Sequence, residues 1–222
     1  MSQLTYLIDE ICAGLEIYYT GRQGGQYLKT AFILCDDYTE LTSKLYLLTD
    51  NPNWSETKAN GHWKNYRDIQ QDVVDVITGK RPTELANLQA LHNNMKIRRD
   101  RRNDFFHSTH LLDLSVMSRN CVDAFCDLLD YGRVLFGRDW TDEVTSRRSL
   151  EILQLLLILE KKNFNDPSIW PKVNNLLRSW PCNTSSRSAR GAYITVHPED
   201  LHLRLCVRDG GMELRDKLAV LL

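Results

Sequence analysis

Residues 4–19, LTYLIDEICAGLEIYY, decide the fold class. Their apolar side chains recur at intervals of three and four positions, at Leu4, Leu7, Ile8, Ile11, Leu15 and Tyr18. This spacing matches the 3.6-residue turn of an α-helix and places one apolar stripe along it. The segment GRQGG at 21–25 follows and ends the pattern. The sequence therefore predicts an amphipathic first helix.

The same period continues along most of the chain. Further helices are predicted over about 26–49, 63–78, 83–97, 105–136 and 145–162. After residue 163 three prolines and a Ser-rich segment interrupt the pattern, residues 192–197 and 201–207 alternate like the strands of a hairpin, and a short helix is predicted from about 212. The predicted fold is mainly α, with a helical bundle over 1–162 and a small mixed α/β tail over 163–222.

Composition limits the possible functions. The 222 residues are 42% apolar and 26% charged, which is ordinary for a globular protein with its own core. The net charge is −1, so any binding to a polyanion must come from a local basic patch. The six cysteines form no CxxC pair, and we expect neither a metal site nor a cofactor. No signal peptide is visible and the apolar stretch 150–160 is too short to span a bilayer, so we expect a soluble, cytoplasmic protein without membrane contact.

Residues 98–110, RRDRRNDFFHSTH, carry the chemistry that points to a function. Arg102 and Asn103 are followed, after three residues, by His107. Histidine titrates near neutral pH and can move protons, and the guanidinium fork of arginine matches phosphate oxygens. RNA carries its own nucleophile, the 2′-OH, so its cleavage needs a proton carrier and a cation but no metal. These residues suit RNA cleavage that leaves a 2′,3′-cyclic phosphate and a 5′-hydroxyl.

The arrangement Arg102-Asn103-x-x-x-His107 resembles the motif of the HEPN superfamily, and the resemblance covers about residues 1–160 in helix order. It implies an all-helical domain with the motif near the start of a late, long helix, and an endoribonuclease of toxin or anti-phage defence type. It also implies a homodimer whose motifs face each other across a cleft. A neutralising partner, an antitoxin or another regulatory protein, is often associated with such enzymes. Some of these partners modify a tyrosine close to the motif, but no tyrosine lies between residues 67 and 130, so this form of control is not expected.

Helix geometry gives the dimer a physical reason. Five residues along one helix rotate by about 500°, which leaves the side chains of Arg102 and His107 about 140° apart. One chain with both residues on an ideal helix would not aim them at the same phosphate. Either a helix starts between the two residues, or two chains contribute to one site.

Charged residues near the motif have two interpretations each. Lys96, Arg98, Arg99 and Arg101 form with Arg102 a basic run that is either a solvated helix face or a funnel for RNA. Asp36, Asp37 and Glu40 form an acidic run that interrupts the second predicted helix. Either these acids face solvent while one of them pairs with an arginine, or Asp36 or Glu40 orients Arg102.

The motif residues themselves also allow a purely structural interpretation. Arg102 could pair with Asp100 or Asp104 at the surface, Asn103 could cap a helix, and His107 could be a structural histidine. Two other functions therefore stand beside the ribonuclease. One is a catalytically inactive HEPN-like module that binds RNA or protein. The other is an unrelated all-helical interaction protein in which the motif arises by chance.

Overall fold

The structure is a computed structural model that describes residues 3–20, 25–107, 113–137, 140, 147–179 and 211–222. Within these residues the protein is mainly helical and contains no strand, which confirms the mainly-α fold class. Among the described helices, none is both long and apolar enough to cross a membrane. The predicted hairpin over 192–207 lies outside the described residues.

The first compact unit, Met1–Arg148, is built around a bundle of long helices. They are α1 (Gln3–Thr20), α2 (Gly25–Asp50), α3 (Tyr66–Lys80), α4 (Leu85–His107) and α5 (Leu114–Phe136), with a 3₁₀ turn at Pro82–Glu84 before α4. Side-chain contacts show that α4 runs antiparallel to both α2 and α5, because residues of α4 meet partners of decreasing number on each. The helix α3 packs against α2 and α4. Three elements of the bundle therefore surround α4, which carries the motif.

Apolar residues at helical spacing hold α3 and α4 in place. One face of α3 buries Ile69, Val73 and Ile77, each one turn from the next. They share a core with Tyr46 and Leu47 of α2, Leu88, Leu91 and Met95 of α4, and Tyr131 and Leu135 of α5. The apolar residues Leu88, Leu91 and Met95 of α4 thus form its buried face. The polar remainder of α4 lies toward solvent or toward charged partners.

The boundary predicted between the fourth and fifth helices is wrong. The sequence placed a helix over 105–136, but α4 continues through the basic run to His107, and α5 begins at Leu114. The side chain of Asp113 caps α5 by accepting a hydrogen bond from the Ser115 backbone nitrogen at 2.8 Å. Acidic groups on neighbouring helices compensate three arginines of the basic run, Arg98, Arg99 and Arg102. The motif consequently lies at the end of α4, and no helix starts between Arg102 and His107. The expectation from the HEPN resemblance, a motif near the start of a late, long helix, is therefore wrong.

The second compact unit, Ser149–Leu222, contains most of α6 (Arg147–Asn165), α7 (Ile169–Ser179) and α8 (Gly211–Ala219). The helix α8 confirms the short helix predicted from about 212. The sequence did not predict α7 because of Pro171. This proline is the third residue of the helix, where its missing N–H leaves no intrahelical hydrogen bond unmade. The predicted domain boundary after residue 162 stays a prediction, and α6 runs through that position.

Candidate functional site

Arg102 is held by two neighbouring acids of α2. Its Nη1 donates to Oδ2 of Asp36 at 3.0 Å and its Nη2 donates to Oδ1 of Asp37 at 3.2 Å. The side chain of Asp36 is 8% exposed, whereas that of Asp37 is 54% exposed. The pairing therefore joins α4 to α2, rather than Arg102 to Asp100 or Asp104 on its own helix. One acid is a buried anchor and the other is open to solvent.

Asp36 and Glu40 divide their roles between two arginines. Nη2 of Arg99 lies 3.3 Å from Glu40, and Nη1 of Arg99 lies 3.8 Å from Asp36. Burial raises the pKa of Asp36, and the guanidinium groups of Arg99 and Arg102 oppose that rise. Asp36 thus contacts Arg102, as the sequence allowed, while Glu40 contacts Arg99. Asp37 was not predicted as a partner of Arg102, although it stands in the same acidic run.

Two other arginines of the basic run face α5. Arg98 forms an ion pair with Asp127, whose Oδ2 also accepts a hydrogen bond from Asn94 at 2.9 Å. Arg101 donates from Nη1 to Oδ1 of Asn120 at 2.5 Å. Arg98 and the two arginines that face α2 therefore have carboxylate partners within the protein. Arg101 has an amide partner and remains exposed.

Lys96 is exposed and, unlike Arg98, Arg99 and Arg102, forms no ion pair with a described residue. It lines an open groove of about 460 Å³ between α3 and α4. The groove is lined by Asn65, Tyr66, Arg67, Gln70, Lys96, Arg99, Asp100 and Asn103. The contribution of α3 was missed from the sequence, since residues from separate helices meet only in the fold. The one local signal is the capping box of Asn65 and Asp68, which marks where α3 starts.

Tyr66 lies in this groove beneath an arginine. The guanidinium carbon of Arg99 is 3.9 Å from the centre of the Tyr66 ring, within the range of a cation–π contact. Burial raises the pKa of Tyr66. The sequence shows no tyrosine between residues 67 and 130, yet the fold brings Tyr66 into the same groove as Asn103. Distance along the chain was therefore a poor guide to which aromatic side chain lies near the motif.

Asn103 and His107 occupy the last two turns of α4. Asn103 is exposed and lines the groove, and helix continues on both sides of it, so it is not a helix cap. His107 is the final residue of the helix. Because Arg102 and His107 share one uninterrupted helix, their positions are about 140° apart around its axis. Two chains are therefore better able than one to place an arginine and a histidine against the same phosphate.

Comparison of the chain with protein-family models, with curated proteins and with solved structures gives no match. The resemblance to the HEPN superfamily accordingly rests on the residue pattern of Arg102, Asn103 and His107 alone.

Proposed function

We propose that the protein is a metal-independent endoribonuclease of the HEPN type that acts as a toxin or anti-phage defence effector. RNA is the substrate, and Arg102, Asn103 and His107 contribute to a catalytic site shared by two chains. The observation that carries the proposal is the position of the motif at the end of α4, where Asn103 lines the open groove together with Lys96. No cofactor takes part, because the substrate supplies the nucleophile.

Each residue has a role that its chemistry supports. Attack of the 2′-OH on the adjacent phosphate forms a phosphorane with additional negative charge, which a guanidinium stabilises. An imidazole accepts the proton of the 2′-OH or donates one to the leaving 5′-oxygen. For Arg102 to reach a phosphate, the phosphate oxygens replace Asp37, the exposed partner, while Asp36 keeps the guanidinium in position. Asn103 donates to the phosphate or to the sugar.

A two-fold dimer through the α4–α5 surface would supply the second motif. Ile97 of α4 is 52% exposed and Val116 of α5 is 55% exposed. Ile97 lies one helical turn before Arg101, and Val116 lies one turn before Asn120. The hydrogen bond between Arg101 and Asn120 joins the two helices on this surface. These exposed apolar side chains on α4 and α5 support self-association at this face.

The dimer is tested by placing a charge on this surface. Val116→Asp is expected to yield a monomer in light scattering and to lower RNA cleavage in parallel. Tyr6→Asp on α1, where the native side chain is 57% exposed, is the matched control and should leave both properties unchanged. A monomeric wild-type protein would contradict the shared site.

The deciding experiment is cleavage of a mixed-sequence RNA in EDTA, with identification of the product ends. The wild type and the control Lys217→Ala are expected to leave 2′,3′-cyclic phosphates. Arg102→Ala removes a charge-stabilising contact, for which losses of about 10²–10³ in rate are typical. His107→Ala removes proton transfer, which contributes about 10²–10⁴. Cleavage that survives both substitutions would refute the assignment of the site.

The second candidate function is a catalytically inactive HEPN-like module that binds RNA or protein. The pairing of Arg102 with two carboxylates favours it, because a compensated guanidinium stabilises a phosphorane less than an unpaired one does. Under this candidate no product forms, and His107→Ala leaves RNA binding unchanged. An antitoxin or other regulatory partner is expected only if the protein is a ribonuclease. In that case the wild type should arrest the growth of cells and His107→Ala should not.

A further inference from the structure

We propose that the groove between α3 and α4 binds the backbone of a single RNA strand, with Arg67 and Lys96 as its phosphate contacts. This inference rests on the proposed function, because it assigns the path of the RNA toward the same motif. It adds α3 to the RNA-binding surface. From the sequence, RNA contacts were predicted only in the basic run of α4.

The positive charge of the groove comes from two side chains on different helices. Arg67 lies in the first turn of α3 and Lys96 lies on α4, both are exposed, and neither forms an ion pair with a described residue. Arg99, which also lines the groove, has its charge compensated by Glu40 and Asp36. Among the described residues Asp100 is the acid of the lining. Two uncompensated cations facing one acid leave an attractive site for phosphate.

Arg99 contributes a flat surface rather than a charge. Tyr66 covers one face of its guanidinium at 3.9 Å, and Glu40 takes its edge at 3.3 Å. The Arg99 side chain lines the groove and is 27% exposed, although its Nη1 is buried. Bases of single-stranded RNA stack on guanidinium planes of this kind in proteins. Arg99 is therefore assigned to a base, and Arg67 and Lys96 to the phosphates that flank it.

The size and the polar groups of the groove fit a nucleotide. Its volume of about 460 Å³ lies within the range of small-ligand sites. Asn103 and Gln70 bring amide groups that can donate to and accept from a base edge or a sugar. Nε2 of Gln70 is buried without a hydrogen-bond partner among the described residues, which is uncommon for a buried donor. A nucleotide in the groove would supply an acceptor after rotation of this amide.

The test measures binding separately from cleavage. A labelled, single-stranded 2′-O-methyl oligonucleotide lacks the nucleophile, and its binding is followed by fluorescence anisotropy at several salt concentrations. Arg67→Glu and Lys96→Glu are each expected to weaken binding about tenfold. The double variant Arg67→Ala/Lys96→Ala should lower the slope of log K against log salt by about 1.4, since each phosphate contact on a single strand contributes about 0.7. Lys217→Glu on α8 has the same change of charge as Lys96→Glu and should bind like the wild type.

The outcomes separate the groove from the ribonuclease. Equal weakening by Lys217→Glu would show a general charge effect and would overturn the groove, as would absence of binding by the wild type. If adenosine monophosphate displaced the strand at equal nucleotide concentration, the groove would bind a free nucleotide, and the proposal of an RNA strand as its ligand would be overturned. Binding through the groove without cleavage of unmodified RNA would refute the ribonuclease alone. Cleavage that both charge reversals leave unchanged would refute the groove alone.

Discussion

Replacing Arg98 by methionine should destabilise the first unit, whereas replacing Lys96 by methionine should not. Arg98 and Asp127 form an ion pair whose side chains are 14% and 10% exposed. Methionine retains much of the aliphatic volume of arginine but removes the charge. The carboxylate of Asp127 then stays buried without its cation. Breaking a buried pair from one side typically costs about 3–5 kcal/mol, because the remaining charge is uncompensated.

Two features of the site place the expected loss at the lower end of this range. The pair retains some exposure to water, and Asn94 continues to donate to Oδ2 of Asp127 at 2.9 Å. We therefore expect the free energy of unfolding to fall by about 3 kcal/mol. For a chain of this length, about 2–4 °C per kcal/mol corresponds to a decrease of about 6–12 °C in Tm.

The assay is thermal and urea unfolding at pH 7, followed by circular dichroism. Lys96→Met is the matched control, and its free energy of unfolding should stay within about 0.5 kcal/mol of the wild type because Lys96 is exposed. Arg98→Met/Asp127→Leu should regain most of the lost stability, since both charges leave together. Equal stability of the two single variants would refute the buried ion pair. Arg98 would then be available to contact RNA, as the basic run in the sequence indicates.

Other perturbations of the first unit have defined outcomes. Burial lowers the pKa of His92 to about 4. The unfolded histidine titrates near 6.5, so the unfolded state gains protons first as the pH falls, and stability should decrease by about 2 kcal/mol between pH 7.5 and pH 5. In urea unfolding His92→Gln should flatten this dependence, and an unchanged pH profile would contradict it. Gly132→Ala would place its Cβ 2.6 Å from Cε2 of Trp140 and should lower stability by about 1–3 kcal/mol. Gly79→Ala, which meets no atom within 4 Å, should raise stability by up to about 1 kcal/mol, and equal thermal shifts of the two glycine variants would argue against this packing. Asp37→Asn should strengthen binding of the 2′-O-methyl oligonucleotide severalfold by freeing one side of Arg102, whereas Asp36→Asn should not, and the reverse order in anisotropy would count against the proposed exchange.

Helical period was sufficient to predict the fold class, because burial of one face imposes a spacing near 3.6 residues on every helix of the bundle. The helix predicted over 83–97 lies within α4 for this reason, and its Leu88, Leu91 and Met95 belong to the core. The end of α4 could not be read in the same way. The groups that compensate its arginines, Asp36 and Asp127 among them, lie 66 and 29 residues from their partners along the chain. Local sequence shows the arginines but not the acids that allow the helix to continue.

The residues of the candidate site were also predictable only where they are close together in the sequence. Arg102 and Asn103 are adjacent in sequence, so a pattern is able to find them. Arg67 belongs to another helix, and its place beside Lys96 depends on how α3 packs against α4. The predicted RNA contacts Arg98 and Arg99 were chosen by charge alone. The fold pairs both with carboxylates, which a count of cations does not reveal.

These pairings change the salt dependence that RNA binding should show. The basic run places five cations in seven residues, and if each met a phosphate the slope of log K against log salt would be about −3.5 for a single strand. Three of the five are paired with carboxylates, and Arg101 bonds to Asn120 on the α5 side rather than lining the groove. Lys96 is left, Arg67 joins it from α3, and Arg102 adds a third contact once a phosphate has replaced Asp37, which gives a wild-type slope of about −2.1 per chain. A measured slope near −3.5 would mean that RNA displaces the carboxylates from all the paired arginines. A slope near −1.4 would mean that only the two unpaired cations bind the strand and that Arg102 keeps both of its carboxylate partners.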